Sequence, residues 1–262
     1  MIYLNIMTAL INVFNTILYQ PFLNALVLLY EYFPGHDFGL AVIVLTVLIR
    51  LALYPLMVQS INSQKTLSEL QPKIQEIQNK YKDDKERQAK EMMGLYQKEK
   101  FNPLGGCLPL LVQLPILIAL YQVFWKGLRP EAMNMLYSFV PHPGVINSTF
   151  LGMINLGEAS LLIAILAGIT QFFQTKMITP KTPKSQQKNG QMGQFSGMLQ
   201  KQMLYFFPIF TVFILWRLPA AIGLYWIITA LFSIGQQYLI FKKPNKEKSE
   251  SSSLPSLPQM KT

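Results

Sequence analysis

This sequence is short of the groups on which most catalysis depends. It holds one cysteine and two histidines in 262 residues, and charged residues make up only 14% of it. One cysteine permits no internal disulfide. Soluble domains carry about 25% charged residues, so the low charge and the mean hydropathy of +0.27 point to a membrane protein. The two histidines, His36 and His142, lie outside the long apolar runs. Neither a Gly-x-Ser-x-Gly elbow nor a Gly-x-x-x-x-Gly-Lys-[Ser/Thr] phosphate loop occurs, so no hydrolase and no ATP-driven machine is expected. No metal and no cofactor is expected, and the chain is not read as an enzyme.

Basic residues are missing from some segments and crowded in others. Residues 1–49 contain no Lys or Arg, whereas nine lie between Val58 and Phe101. Only Lys126 and Arg129 fall between Lys126 and Glu158, and then five lie between Lys176 and Lys201 with no acid among them. Arg217 stands alone, and five more follow from Lys242 onward. The net charge of +10 would suit a nucleic acid, but the excess tracks alternate connections, so no DNA partner is expected. Basic residues mark cytoplasmic connections, which gives five spans with the N-terminus outside and the C-terminus inside.

The expectation is an all-α integral membrane protein. Its parts are an extracytoplasmic interfacial helix (1–36), spans at 37–60, 102–126, 159–178, 202–217 and 218–241, and connections between them. Residues 61–101 form a cytoplasmic helical hairpin, 127–158 an outer loop, 179–201 a flexible cytoplasmic loop, and 242–262 a basic tail of disordered composition. Asn102 is the expected N-cap of the second span, with Pro103 at its first position. The fourth run is short, about 21 Å for 14 residues against a hydrocarbon core of about 30 Å. Pro55, Pro109, Pro115 and Pro208 predict kinks. The N-terminal segment is interrupted by Asn5, Asn12, Asn15, Gln20 and Asn24 and is expected to break at Pro21, which favours an interfacial helix over a sixth span. In the hairpin, Leu67, Leu70, Ile74, Ile77 and Tyr81 form one stripe, and Asp83-Asp84 starts the second helix. Met92 and Met93 on that helix either pack the hairpin or offer an adaptable partner surface.

One charge stands where none belongs. Arg50 lies within GLAVIVLTVLIRLALYPLMV, the apolar run Gly39–Val58, and no Asp or Glu occurs in any of the apolar runs to neutralise it. An arginine at helix-centre depth costs roughly 2.5–3.5 kcal/mol on insertion scales. Snorkelling to the headgroups past Val58 would require a reach of roughly 12 Å. A water-filled polar groove is the better expectation.

Four segments together resemble the YidC/Oxa family of membrane protein insertases. They are TVLIRLALYPL, then LQPKIQEIQNKYKDDKERQAKEMMGLYQKEKFNPLGGCLPLLVQLPILIALY, LAGITQFFQTKM, and AAIGLYWIITALFSIGQQYLIF. The resemblance implies a five-helix core with a hydrophilic groove open to the cytoplasm, acting alone or with the Sec translocon. It implies groove roles for Arg50, Thr46 and Trp226, and places Gln171 and Gln174 where polar lining is expected. Simpler roles exist for each: Thr46 bonding its own i−4 carbonyl, Trp226 as a core aromatic, the glutamines bridging helices. The substrate helix is expected to slide along spans one, three and five. Nascent membrane proteins and membrane lipids are the expected partners. The ribosome and signal recognition components are expected to bind more weakly, with Lys242, Lys243 and Lys246 as contacts. The expected form is a short one, without the large outer domain or lipid-modified cysteine of other versions, in a bacterial cytoplasmic membrane. A small polytopic transporter or channel is the alternative, but it would call for a midplane site between internal repeats, and none is visible.

Overall fold

A computed structural model describes residues 2–33, 35–102, 105, 108–127, 129–179 and 202–242. Helix α1 (Ile2–Phe14) passes through a π-helical turn (Asn15–Tyr19) into α2 (Gln20–Tyr32) without a break. Pro21 therefore does not end the segment. The wider turn before it, where Gln20 N–H donates to Asn15 O, makes room for a ring that would otherwise clash with the carbonyl four residues back.

Helix α3 (Phe38–Ala52) starts on Asp37, whose side chain accepts from Leu40 N at 2.9 Å. It ends at Leu53, and α4 (Tyr54–Lys80) leaves at 68° with Pro55 in its first turn. Pro55 has no N–H to give Leu51 O, so α3 cannot run on through it and the bend falls at this point. Helix α4 then runs unbroken across the expected boundary at residue 60, so the lower part of the first span and the first arm of the hairpin are one helix. The second arm, α5 (Lys85–Lys98), is capped by Asp84, which accepts from Arg87 N at 2.9 Å. Lys73 and Glu99 pair across the arms at 2.5 Å, and the buried Gln88 donates to Gln78 O at 3.0 Å.

The remaining helices are α6 (Leu108–Lys126), α7 (Leu161–Ile178), α8 (Phe207–Leu215, entered through a π-helical turn Gln202–Phe206) and α9 (Ala220–Lys242). Asn102 accepts from Gly105 N at 3.1 Å, ahead of α6, and Pro103 lies outside the described residues. Helix α7 packs against α8 and α9 at close range. A side chain at Gly168 would overlap Val212, and a Cβ at Gly223 would stand 2.6 Å from Ile163 Cγ2. Small residues allow this approach between apolar helices, where dispersion rather than water exclusion holds them together.

One end of the bundle is closed by the connection between α6 and α7. Strands β1 (Thr149–Phe150) and β2 (Ile154–Asn155) pair antiparallel over the start of α3, where Asp37 Oδ2 accepts from Leu151 N at 2.6 Å. The first free N–H groups of α9 are met by the same connection, Ala220 N donating to Glu158 O at 2.7 Å and Ala221 N to Leu156 O at 3.0 Å. Helix α2 lies along it. Gln20 Nε2 donates to Met135 O at 3.0 Å and Asn24 Nδ2 to the same oxygen at 3.1 Å. Asn24 Oδ1 accepts from Tyr137 N at 2.6 Å, and the Tyr30 hydroxyl accepts from Asn147 N at 3.0 Å. These contacts span about 15 Å of helix and tie α2 to the loop along its length. Two of the amides that interrupt the apolar pattern in sequence, Gln20 and Asn24, are thus clasps in the fold.

Replacing Asn24 by Leu leaves the Tyr137 N–H and one bond to Met135 O unmade. The variant is expected to lose about 2 kcal/mol of stability in detergent, whereas Asn12→Leu on the exposed part of α1 should stay within about 0.5 kcal/mol. Equal thermal shifts for the two would refute the clasp.

Candidate functional site: a polar cavity beside an apolar core

The core is divided along the helix axes. At the loop-closed end it is apolar: Phe38, Ala41, Val42 and Leu45 of α3 meet Leu120, Val123 and Phe124 of α6, Ala164 and Ala167 of α7, and Ala221 through Tyr225 of α9. Past Ile49, Ile116 and Ala167 the facing side chains become polar.

Arg50 sits in the last turn of α3 and is only 5% exposed. The 68° bend carries α4 back toward it, so that Met57 Sδ lies 3.7 Å from Arg50 Nη1. Carbonyl groups at a helix C-terminus carry partial negative charge, which favours a cation there. Among the described residues no carboxylate forms an ion pair with Arg50.

Arg50 opens onto a cavity of about 250 Å3. Helix α4 contributes Ser60 and Gln64 to its wall, α6 Gln113, α7 Gln174, and α9 Ser233, Gln236 and Gln237. Gln113 Nε2 donates to the Tyr225 hydroxyl, which marks the upper limit of the polar region. Ser233 turns its hydroxyl to Thr229 O at 2.9 Å. By contrast Gln64 Oε1, both amide atoms of Gln236 and Gln237 Oε1 are buried without a partner among the described residues. A buried amide left unpaired costs about 1–3 kcal/mol, so this lining is suited to water or to a polar peptide that supplies the missing bonds.

The five residues expected at the groove separate. Arg50 and Gln174 share the cavity. Gln171, one turn away on α7, accepts from Trp226 Nε1 at 3.0 Å and ties α7 to α9. Trp226 also lines a second, apolar hollow of about 280 Å3, with Leu117, Ile118 and Tyr121 of α6 and Thr211 and Ile214 of α8. Thr46 is buried, and its hydroxyl donates to Val42 O at 2.6 Å, closed on its own helix. Helix α3 buries Ala41, Val42 and Leu45, with α2 and α9 packed against it, while its Leu48 and Leu51 are exposed. On α5, Met92 is half-buried and Met93 exposed. Lys242 ends α9, its Nζ 5.9 Å from the Tyr238 ring. Lys243, Lys246 and Cys107 lie outside the described residues.

Sequence analysis missed Ser60, Gln64, Gln113, Ser233, Gln236 and Gln237. A signal was present: each amide but Gln64 interrupts an apolar run, and Met57, Ser60 and Gln64 follow at i, i+3 and i+7. It was hidden because Gln64 was assigned to the hairpin rather than to a helix that begins at Tyr54.

Apolar helices long enough to cross a bilayer, enclosing a buried unpaired cation and a set of amides, define a multi-pass membrane protein that handles polar matter within the membrane. Residues 28–248 match the family described as 60Kd inner membrane protein. The membrane protein insertase YidC of Fusobacterium nucleatum is 34% identical over 79% of this chain and 87% of that protein. That of Clostridium tetani is 36% identical over 81% and 86%. That of Wigglesworthia glossinidia brevipalpis is 35% identical over 87% of this chain but only 37% of its own greater length. The chain belongs to this family of inner-membrane insertases, whose members are not enzymes of a classical kind. It is an all-α, multi-pass membrane protein insertase.

With Cys107 replaced by Ser, a cysteine at Gln64 or Gln113 is expected to react with a hydrophilic thiol reagent in intact membranes. A cysteine at Leu45 or Ala167 should stay unlabelled. Labelling at all four positions, or at none, would contradict a polar cavity confined to one half of the bundle.

Proposed function

We propose that the chain inserts nascent membrane proteins by receiving their polar tails in the Arg50 cavity and releasing their apolar helices between α6 and α8. The observation that carries this is a buried arginine without an acidic partner in a wall of amides whose hydrogen bonds are unmade. A hydrophilic tail crossing bare hydrocarbon loses all its bonds to water. A polar cavity reaching half-way shortens that dry passage, and Arg50 attracts acidic or carbonyl groups on the way.

The exit follows from packing. Leu111, Leu114 and Ile118 of α6 and Ile209, Phe213 and Ile214 of α8 are exposed, and the apolar hollow lies between those two helices. A substrate helix seated there gains about 25 cal/mol per Å2 of apolar area it buries. Neither a nucleotide nor a cofactor is needed for this.

The distribution of Lys and Arg supports a cytoplasmic position for the cavity end of the bundle, with the hairpin and the Lys242 terminus of α9. The loop-closed end then faces outward. Helices α1 and α2 lie at that outer interface, as the clasp of α2 along the loop favours. Asn5–Tyr32, with a mean hydropathy of 1.3 over 28 residues, is nevertheless long enough for the alternative of a sixth span. The exposed Met93 with Met92, and the basic cluster Lys242, Lys243 and Lys246, are the proposed contacts for the Sec translocon, signal recognition components and the ribosome.

Arg50→Ala is expected to slow insertion of substrates with acidic outer tails about tenfold, equivalent to about 1.4 kcal/mol, while Arg50→Lys keeps most of the rate. The measurement is protease protection of a single-span substrate in proteoliposomes across a series of tail charges. Identical rates for Arg50→Ala and the unaltered chain at every tail charge would remove the electrostatic role.

A photo-reactive side chain at Ile118 or Ile214 should cross-link to the apolar helix of a stalled nascent chain, and one at Ile165, on the exposed face of α7, should do so far less. Preferential cross-linking at Ile165 would move the exit to the other side of the bundle.

A further inference from the structure

On the face of the α7–α9 pair turned away from the polar cavity lies a third hollow, of about 490 Å3, which the proposed insertion path does not use. Thr170, Phe173 and Met177 of α7 form one wall, and Leu231 and Ile234 of α9 the other, with Lys176 beside them. The residues of α7 recur at i, i+3 and i+7. Those of α9 continue as Tyr238 and Lys242, at i+7 and i+11 from Leu231, so one stripe runs from the hollow to the end of the helix. Phe173, Leu231 and Tyr238 are exposed. A Cβ placed on Gly235, within this stripe, would meet nothing within 4 Å.

Two cations stand at the same end of this otherwise apolar surface. Lys176 and Lys242 are both exposed, with Nζ 5.8 Å from the Phe172 ring and 5.9 Å from the Tyr238 ring respectively. Neither belongs to an ion pair among the described residues. Each is held by an aromatic face alone, a weak contact at exposed positions.

We propose that this hollow is a binding site for one anionic phospholipid, its acyl chain on Phe173, Leu231 and Ile234 and its headgroup phosphate between Lys176 and Lys242. The two lysines at one end of the apolar surface select an amphiphile with a negative head. A flexible hydrocarbon ending in a negative charge matches both the apolar stripes and the paired lysines. Because Gln174, Gln236 and Gln237 project from the same two helices into the polar cavity, a lipid bound here braces the wall of that cavity from behind.

The test is native mass spectrometry of the full purified chain, exposed to equal phosphatidylglycerol and phosphatidylcholine with identical acyl chains. Each lysine at anionic lipid is worth roughly fivefold, so the unaltered chain should retain one phosphatidylglycerol with a preference of about twenty-five-fold. Lys176→Gln combined with Lys242→Gln should still hold a lipid but with a ratio near one. Gly235→Leu, which adds bulk to the α9 stripe beside the hollow, should lose lipid of either kind; Thr170→Phe fills the hollow itself from α7 and serves the same purpose if the first variant does not fold. An undiminished preference in the double glutamine variant would overturn the proposal. So would a dimer, without retained lipid, that Gly235→Leu abolishes, since the hollow would then belong to a second copy of the chain.

Discussion

An arginine carries its charge throughout the physiological pH range, so Arg50 has to be accommodated as a cation among apolar helices. The structure does so without an acidic neighbour. It places the residue in the last turn of α3, on the negative end of the helix dipole, and bends the chain 68° at Leu53 so that α4 folds back beside it. Met57, Ser60 and Gln64 reach the charge only because of that bend, and they complete a wall begun by Gln113, Gln174 and the glutamines of α9. A carboxylate in the same place would bind Arg50 permanently. Amides solvate it and leave it available to a passing ligand.

The division of the bundle follows from the same constraint. Amides with unmade bonds are tolerable only where water or substrate can reach them, so they gather at one end, and the other end must hold the helices together. It does so with the apolar cluster around Phe38, Val123 and Tyr225, with glycines that let α7 approach α8 and α9, and with a loop that satisfies the first N–H groups of α9. The clasp of Asn24 and Gln20 on the backbone of Met135 and Tyr137 belongs to this closure. Helix α1 has no part in it, and its Ile6, Met7 and Leu10 remain exposed.

Among the described residues α9 borders hollows of different chemistry: a polar cavity toward α3 and α4, an apolar slot toward α6 and α8, and an apolar hollow with Lys176 beside it toward α7. A helix with residues of one kind could not wall all three. Helix α9 manages it by placing Leu231, Ile234 and Tyr238 on one side, and on the other Ile222 and Trp226 at one height with Gln236 and Gln237 about three turns further along.

Much of this was legible in the residues. Long apolar runs determine helices because a bilayer leaves no other way to satisfy the backbone, and Asp84 announces a helix start through its side-chain oxygen. The lone Arg50 announced a polar site by its cost. What periodicity could not say is which neighbours a face would meet. Thr46 lies on the same side of α3 as Arg50, yet it is sealed by packing and bonds Val42, since α9 covers that turn and leaves the next one open. Gln20, Asn24 and Pro21 read as interruptions because their partners are more than a hundred residues away, in a loop, and in a π-helical turn that local propensity does not foresee. The sequence by itself determined the helices, their caps and the need for a polar site around Arg50. Only the tertiary structure decided which amides would share that site, because the choice depends on a bend at Leu53 and on contacts between helices far apart in the chain.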